Sequence, residues 1–196
     1  MSDWYVAVAV RDVSSNRAEL LAQSVVEALA GDGIIQSVLD PEAVLGGVGG
    51  YRPGPRIAEV YERLVTEVEF WRLVTNGMEP CIGRWVNSLG FTCLDGFTCS
   101  ECNQKFAPGD DSVAGPFAGA IGEFMIGVDD PTVCCPSCGA AHSVRNWLTV
   151  PHFGFVNLAF QFWNWPPFGT SSWKVNIPAI VQEVTDHQVI VTHGRL

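Results

Sequence analysis

Two short strings, Cys99-Ser-Glu-Cys102 and Cys135-Pro-Ser-Cys138, constrain this chain more than anything else in it. A two-residue gap lets both sulfurs of a pair face one ion from a tight turn. Two such turns complete a tetrahedral four-thiolate shell, which suits Zn²⁺. The pairs are separated by 32 residues, longer than the commonest zinc-ribbon spacing but within reach of a ribbon with a looped-out segment. Gly139, after the second pair, permits a positive φ, so that backbone amides can point at the thiolates. The expected ligands are therefore Cys99, Cys102, Cys135 and Cys138, and the expected cofactor is a structural zinc, because four thiolates leave no open position for water.

Other arrangements stay open at this point. His142 can stand in for Cys138, and Cys134 for Cys135. A lone C-x-x-C can also be a redox pair, although two pairs in one glycine-rich segment argue for metal. Iron–sulfur families carry other spacings. The chain has no H-E-x-x-H, and "CCPSC" is only like P-C-x-x-C, shifted by a residue, with no H-x-E upstream as a deaminase would require. Cys81 and Cys93 read as ordinary buried thiols.

Charge narrows the partners. The chain carries 11 basic against 21 acidic residues, a net charge of −10, and only two of the basic residues are lysines, Lys105 and Lys174. A polyanion is bound through clustered Lys and Arg, so nucleic acid and anionic membranes are disfavoured, whereas a basic protein partner is not. Hydrophobic residues reach 47% and charged residues only 16%, a balance that suits a well-filled core or surface buried against a partner or a second copy. The opening "MSDWYVAVAVRD" lacks a basic leader region, and no stretch is long and apolar enough to span a membrane. A cytoplasmic setting is expected, where reduced thiols favour metal over disulfide.

Along the chain, "WYVAVAV" (4–10) reads as a buried central strand. A helix follows with Leu21, Val25, Ala28 and Leu29 on one face, capped by Ser14 or Ser15 and stopped at Gly31. Next come a short strand from Ile34, a glycine- and proline-rich loop over 46–55, and a helix carrying Ile57, Val60, Tyr61 and Leu64. Val68, Phe70 and Val74 alternate as a strand, with Thr75-Asn76-Gly77 as a hairpin turn and a returning strand over 81–87. A connection over 87–96 leads into the cysteine-bearing segment. After it, Val156, Leu158, Phe160 and Phe162 lie on one side of a strand. A short helix capped by Asn176 and a final strand "HQVIVTH" end the chain. The fold class is α+β: a mixed or antiparallel sheet with helices on one face, partly ferredoxin-like, built from residues 1–96 and 151–196, with residues 97–150 as an inserted zinc-ribbon-like subdomain.

Two further stretches are candidate binding sites. In "GGVGGYRPGP", Arg52 and Arg56 beside glycines suggest an anion site at a helix start, although neither a Walker A loop nor G-x-G-x-x-G is complete. In "FQFWNWPPFG", Trp163 and Trp165, with Trp173, suggest a flat aromatic surface. No catalytic residue is indicated. The histidines form no recognisable dyad, and the acid pairs Asp110-Asp111 and Asp129-Asp130 read as solvated loop residues.

The string "CPSCG" is similar to a zinc knuckle of the ribbon type, a resemblance that covers residues 97–150. Over the whole chain, "DWYVAV", "GYRPGP", "TNG" followed by "GR", the two CxxC knuckles, "FWNWPP" and "THGRL" resemble an uncharacterised bacterial protein family of this length. That resemblance implies kinship and no particular activity. The functional expectation is a non-enzymatic protein–protein interaction module, an adaptor or immunity-type protein, that engages a protein partner or a second copy. The alternative is a small-molecule binder or enzyme using the 46–56 loop or the tryptophan stretch.

Overall fold

The computed structural model describes residues 3–45, 47–64, 67–86, 95–150 and 152–195. The expected 87–96 connection and the thiol of Cys93 lie largely or wholly outside them, as does Gly46. The fold is α+β with a mostly antiparallel sheet. It divides into two compact units: the first combines Met1–Gly83 with Val156–Leu196, and the second is Arg84–Phe155.

The first unit is built on a six-stranded sheet. In chain order its strands are β1 (Trp4–Val10), β2 (Ile35–Asp40), β3 (Gly50–Pro53), β4 (Met78–Val86), β10 (Phe155–Trp163) and β11 (Val189–Arg195), and in space they run β11-β1-β10-β4-β3-β2. The run Val6–Val10 is fully buried because β1 lies between β10 and β11, antiparallel to both. Helices α1 (Ser15–Gly31) and α4 (Ile177–Thr185) follow β1 and β10, so β1, β10, β4 and β11 take the spatial order of a ferredoxin-like split β-α-β arrangement. In sequence, the second unit occupies the connection between β4 and β10.

Pattern explains the helices. On α1, Ala18, Leu21, Ala22, Val25, Val26 and Leu29 recur at helical spacing and are buried. The helix ends at Gly31, and the left-handed turn that reverses the chain falls at Gly33, whose φ is 68°. Asn176 caps α4, its Oδ1 accepting from the Ala179 amide at 3.1 Å. Both helices bury their apolar residues against one sheet face, with Val8, Val10, Leu158, Phe160 and Phe162. Burying each large side chain of this kind contributes about 1.5–3 kcal/mol.

Residues 57–77 depart from expectation. The helix from Ile57 lasts one turn, α2 (Ile57–Val60), and Tyr61 is already extended. Residues 70–72 form a 3-10 turn instead of a strand. The cause is aromatic packing: Phe70 is buried with its ring 5.1 Å from Trp165 and 5.6 Å from Tyr61. A strand would turn alternate residues to opposite sides and pull Phe70 out of this cluster. Asn76 and Gly77 are not a hairpin turn either, because both amides donate to the Ala43 carbonyl. The expected loop at 46–55 in turn contributes β3, paired with β2 and β4.

In the second unit, β5 (Phe97–Thr98) lies between β6 (Lys105–Phe106) and β9 (Leu148–Thr149), while β7 (Thr132–Cys134) pairs with β8 (Ala141–Ser143). Between the cysteine pairs lies a 15-residue helix, α3 (Asp111–Met125), that the sequence reading did not include. Three glycines and an internal proline disfavour a helix here. Packing overrides them, since Val113, Phe117, Ala120 and Phe124 recur on one face and are buried. The Phe117 ring lies 5.0 Å from Phe97 and 6.0 Å from Phe155. The acid pairs read as solvated are exposed at Asp111, Asp129 and Asp130; half-buried Asp110 caps α3 through the Ser112 amide, and Asp129 also pairs with Arg84.

Trp165 is fully buried, and its indole N–H donates to the Asn76 carbonyl at 2.6 Å. Trp165→Ala is expected to cost about 3–5 kcal/mol, while exposed Lys174→Ala stays within about 0.5 kcal/mol. Urea unfolding followed by circular dichroism measures both.

Candidate metal centre

The two cysteine pairs sit on equivalent hairpins. In the first, β5 leads into Cys99–Cys102 and β6 leaves; the Cys99 amide donates to the Gln104 carbonyl at 3.0 Å, and the Asn103 amide returns to the Cys99 carbonyl at 3.0 Å. In the second, β7 leads in and β8 leaves; the Cys135 amide donates to Ala140 at 2.8 Å, and the Gly139 amide returns to Cys135 at 2.8 Å. The residue after each second cysteine takes a positive φ, 56° at Asn103 and 73° at Gly139. Asn and Gly are the residue types that tolerate this conformation best. Gly139 was legible as such a position, and the same signal stood in the sequence at Asn103.

These hairpins bring four sulfurs together. The Sγ atoms of Cys99, Cys102, Cys135 and Cys138 all lie within 4.8 Å of one another. Across the hairpins, Cys99 Sγ is 3.9 Å from Cys138 Sγ, and Cys102 Sγ is 3.8 Å from Cys135 Sγ. Four sulfurs at a zinc–sulfur distance of about 2.3 Å in a tetrahedron stand about 3.8 Å apart, so the set fits a tetrahedral metal ion. Cys99 and Cys135 are buried, Cys102 and Cys138 exposed. Cys134 is exposed and outside the set. His142, on β8, stands beside it, with Nε2 3.5 Å from Cys99 Sγ and its ring edge-on to Trp147.

Backbone amides tune the thiols. At Cys99 the amide of Cys102 lowers the pKa, burial opposes it, and the Glu101 amide helps. At Cys135 burial raises the pKa, but the amides of Cys138 and Ser137 and the sulfurs of Cys138 and Cys99 outweigh it and bring the thiol to about 7. At Cys138 the Ala140 amide pulls downward, yet burial and the sulfurs of Cys135, Cys102 and Cys99 hold the thiol up at about 11. Two sulfurs are thus prepared to ionise and a third resists joining them. A divalent cation among the four removes that conflict.

The other candidate residues have internal work. Arg52 pairs with Asp40 at 2.5 Å and donates to the Val74 carbonyl and to Asn76 Oδ1. Arg56 bonds Glu59 and the Asp32 carbonyl. Each guanidinium thus braces a loop through bonds within the chain. Trp163 and Trp165 are 3% and 0% exposed, so they build core and not a flat aromatic surface. Trp163 Nε1 donates to Glu79, whose carboxyl is raised above its ordinary range by burial. Cys81 is half-buried, and burial pushes its thiol far up, as suits an inert residue. Among the described residues, no helix is long and apolar enough to cross a membrane.

No protein-family model, no curated protein and no solved structure matches this chain.

Cys99→Ser or Cys138→Ser is expected to abolish stoichiometric metal and to loosen the second unit, whereas His142→Gln keeps one equivalent with affinity reduced about tenfold. Metal analysis after gel filtration, together with thermal melting, separates the cases. Protons compete with metal for thiolates, so the apparent metal affinity is expected to weaken as pH falls, and more steeply below the free-thiol value of about 7 at Cys135, where one more proton must be displaced. Titration against a chromophoric chelator at several pH values reads this directly.

Proposed function

We propose that this chain is a non-catalytic zinc protein in which the metal holds the second unit in shape, and which acts by binding a protein partner or a second copy of itself. One observation carries the reading: four cysteine sulfurs gathered at tetrahedral coordination spacing on two matched hairpins. A complete thiolate shell has no position left for a substrate or an activated water, so the zinc is structural. The core of the second unit is small, centred on Phe97, Phe117, Phe124 and Trp147, and two of its buried members are ligands, Cys99 and Cys135. Units of this size commonly need a metal or crosslinks to stay folded. The six described cysteines are free thiols, which suits a reducing compartment such as the cytoplasm.

The interaction half of the reading rests on surface chemistry. Where α3 ends, Met125 and Ile126 are exposed at 50% and 85%, and Val128 is exposed beside them. A net charge of −10 favours a basic partner surface and disfavours nucleic acid.

Native mass spectrometry of the purified chain and of Met125→Asp/Ile126→Asp tests both halves. One zinc per chain is expected in each protein, with a dimer or a stoichiometric protein complex in the parent that is lost in the variant. A zinc-free, folded parent would overturn the structural-metal reading. A zinc-bound monomer unchanged by the substitutions would overturn the interaction reading.

A further inference from the structure

The first unit contains a cleft of about 520 Å³ at the end of the sheet where β1 begins and β10 ends. That volume lies in the usual range for small-molecule sites, about 300–1,000 Å³. Most of its wall is apolar, with Trp4, Tyr61 and Phe70 supplying aromatic surface and Pro166-Pro167 closing one side. Two carboxylates, Asp3 and Glu67, are set into this wall. Among the described residues, no lysine, arginine or histidine lines it. Of the nearby guanidinium groups, Arg63 donates to the Glu67 backbone carbonyl and Arg72 pairs with the Glu69 carboxylate.

Both carboxylates are held in place while keeping capacity to accept. Asp3 Oδ1 accepts from Asn164 Nδ2 at 2.7 Å, and that amide is itself fixed, since it also donates to the Thr75 carbonyl while Asn164 Oδ1 accepts from the Trp4 amide. Glu67 Oε2 accepts from the Tyr61 hydroxyl at 3.0 Å and from the Leu64 amide at 3.1 Å. Among the described residues, Asp3 Oδ2 and Glu67 Oε1 have no hydrogen-bond partner. The cleft thus offers aromatic surface, oriented anionic acceptors and, among the described residues that line it, no cationic side chain. An ammonium or guanidinium on an apolar body satisfies all three, through charge-assisted hydrogen bonds and cation–π attraction.

We infer that this cleft is a binding site for a small organic cation, an amine or guanidine carried on an aromatic or branched alkyl body. The inference stands on the first unit and is independent of the zinc reading. The test uses the full zinc-loaded chain, with phenethylammonium as probe and phenethyl alcohol and 3-phenylpropionate as neutral and anionic counterparts of similar shape. Calorimetry and amide chemical-shift mapping are expected to give saturable binding of the ammonium alone, with shifts at Trp4, Glu67 and Asn164. Asp3→Asn and Glu67→Gln keep an acceptor oxygen for their internal partners, so both should fold, and each is expected to weaken the ammonium at least tenfold. Equal binding of the alcohol, preference for the carboxylate, shifts confined to other regions, or no saturation at millimolar ammonium would each overturn the proposal. Saturable binding only of capped lysine or arginine peptides would overturn it in favour of a peptide site.

Discussion

Four sulfur atoms cannot crowd within a few ångströms of one another as thiolates unless a cation lies among them. The second unit is organised around that constraint. Its two hairpins present Cys99, Cys102, Cys135 and Cys138 from matched turns, with Asn103 and Gly139 supplying the same left-handed residue after each pair. Amides directed at Cys99 and Cys135 favour charge there, while the surrounding sulfurs push the free Cys138 thiol upward. Cys99 and Cys135 also belong to the buried core, so the four-cysteine cluster and the apolar packing of this unit are one structure.

The first unit solves a different problem. Its helices cover one sheet face in the ordinary way, but among the described residues between α2 and β4 a short 3-10 turn is the one helical element. Aromatic stacking and buried amides hold it instead. Trp165 and Trp173 stack at 5.9 Å with nearly parallel rings, Phe70 and Tyr61 close around them, and Asn76 ties Phe70 and Arg52 together. Asn164, in a left-handed conformation, joins the first residue of β1, the side chain of Asp3 and the Thr75 carbonyl. A polar side chain buried with every donor and acceptor used is costly to misplace, so it fixes where the irregular segment lies. The cleft lined by Asp3, Tyr61, Glu67 and Phe70 is a product of that bracing.

What could be read in advance follows the range of the forces involved. β1, α1, β10, α4 and β11 show in the sequence because each buries a face or a full run of side chains, and burial imposes a period. The helix α3 carries such a period too, Val113, Phe117, Ala120 and Phe124, but its glycines and proline resemble a loop in local propensity. Packing on Phe97 and Phe155 outweighed that propensity, and packing is not a local quantity. The strand expected over 68–74 failed for the opposite reason. Its alternation was real as a pattern, but the aromatic cluster claimed Phe70.

The sequence by itself determined the four-cysteine cluster, because a metal-compatible set needs particular atoms on particular short turns and both are written in C-x2-C. It also determined the α+β class and the net negative charge. The tertiary structure alone decided that Trp163 and Trp165 are core and not surface, since an indole reads the same in sequence whether it meets solvent or another ring. It likewise decided that Arg52 and Arg56 are braces, because their partners Asp40, Asn76 and Asp32 are distant in the chain and meet them only once the sheet has formed.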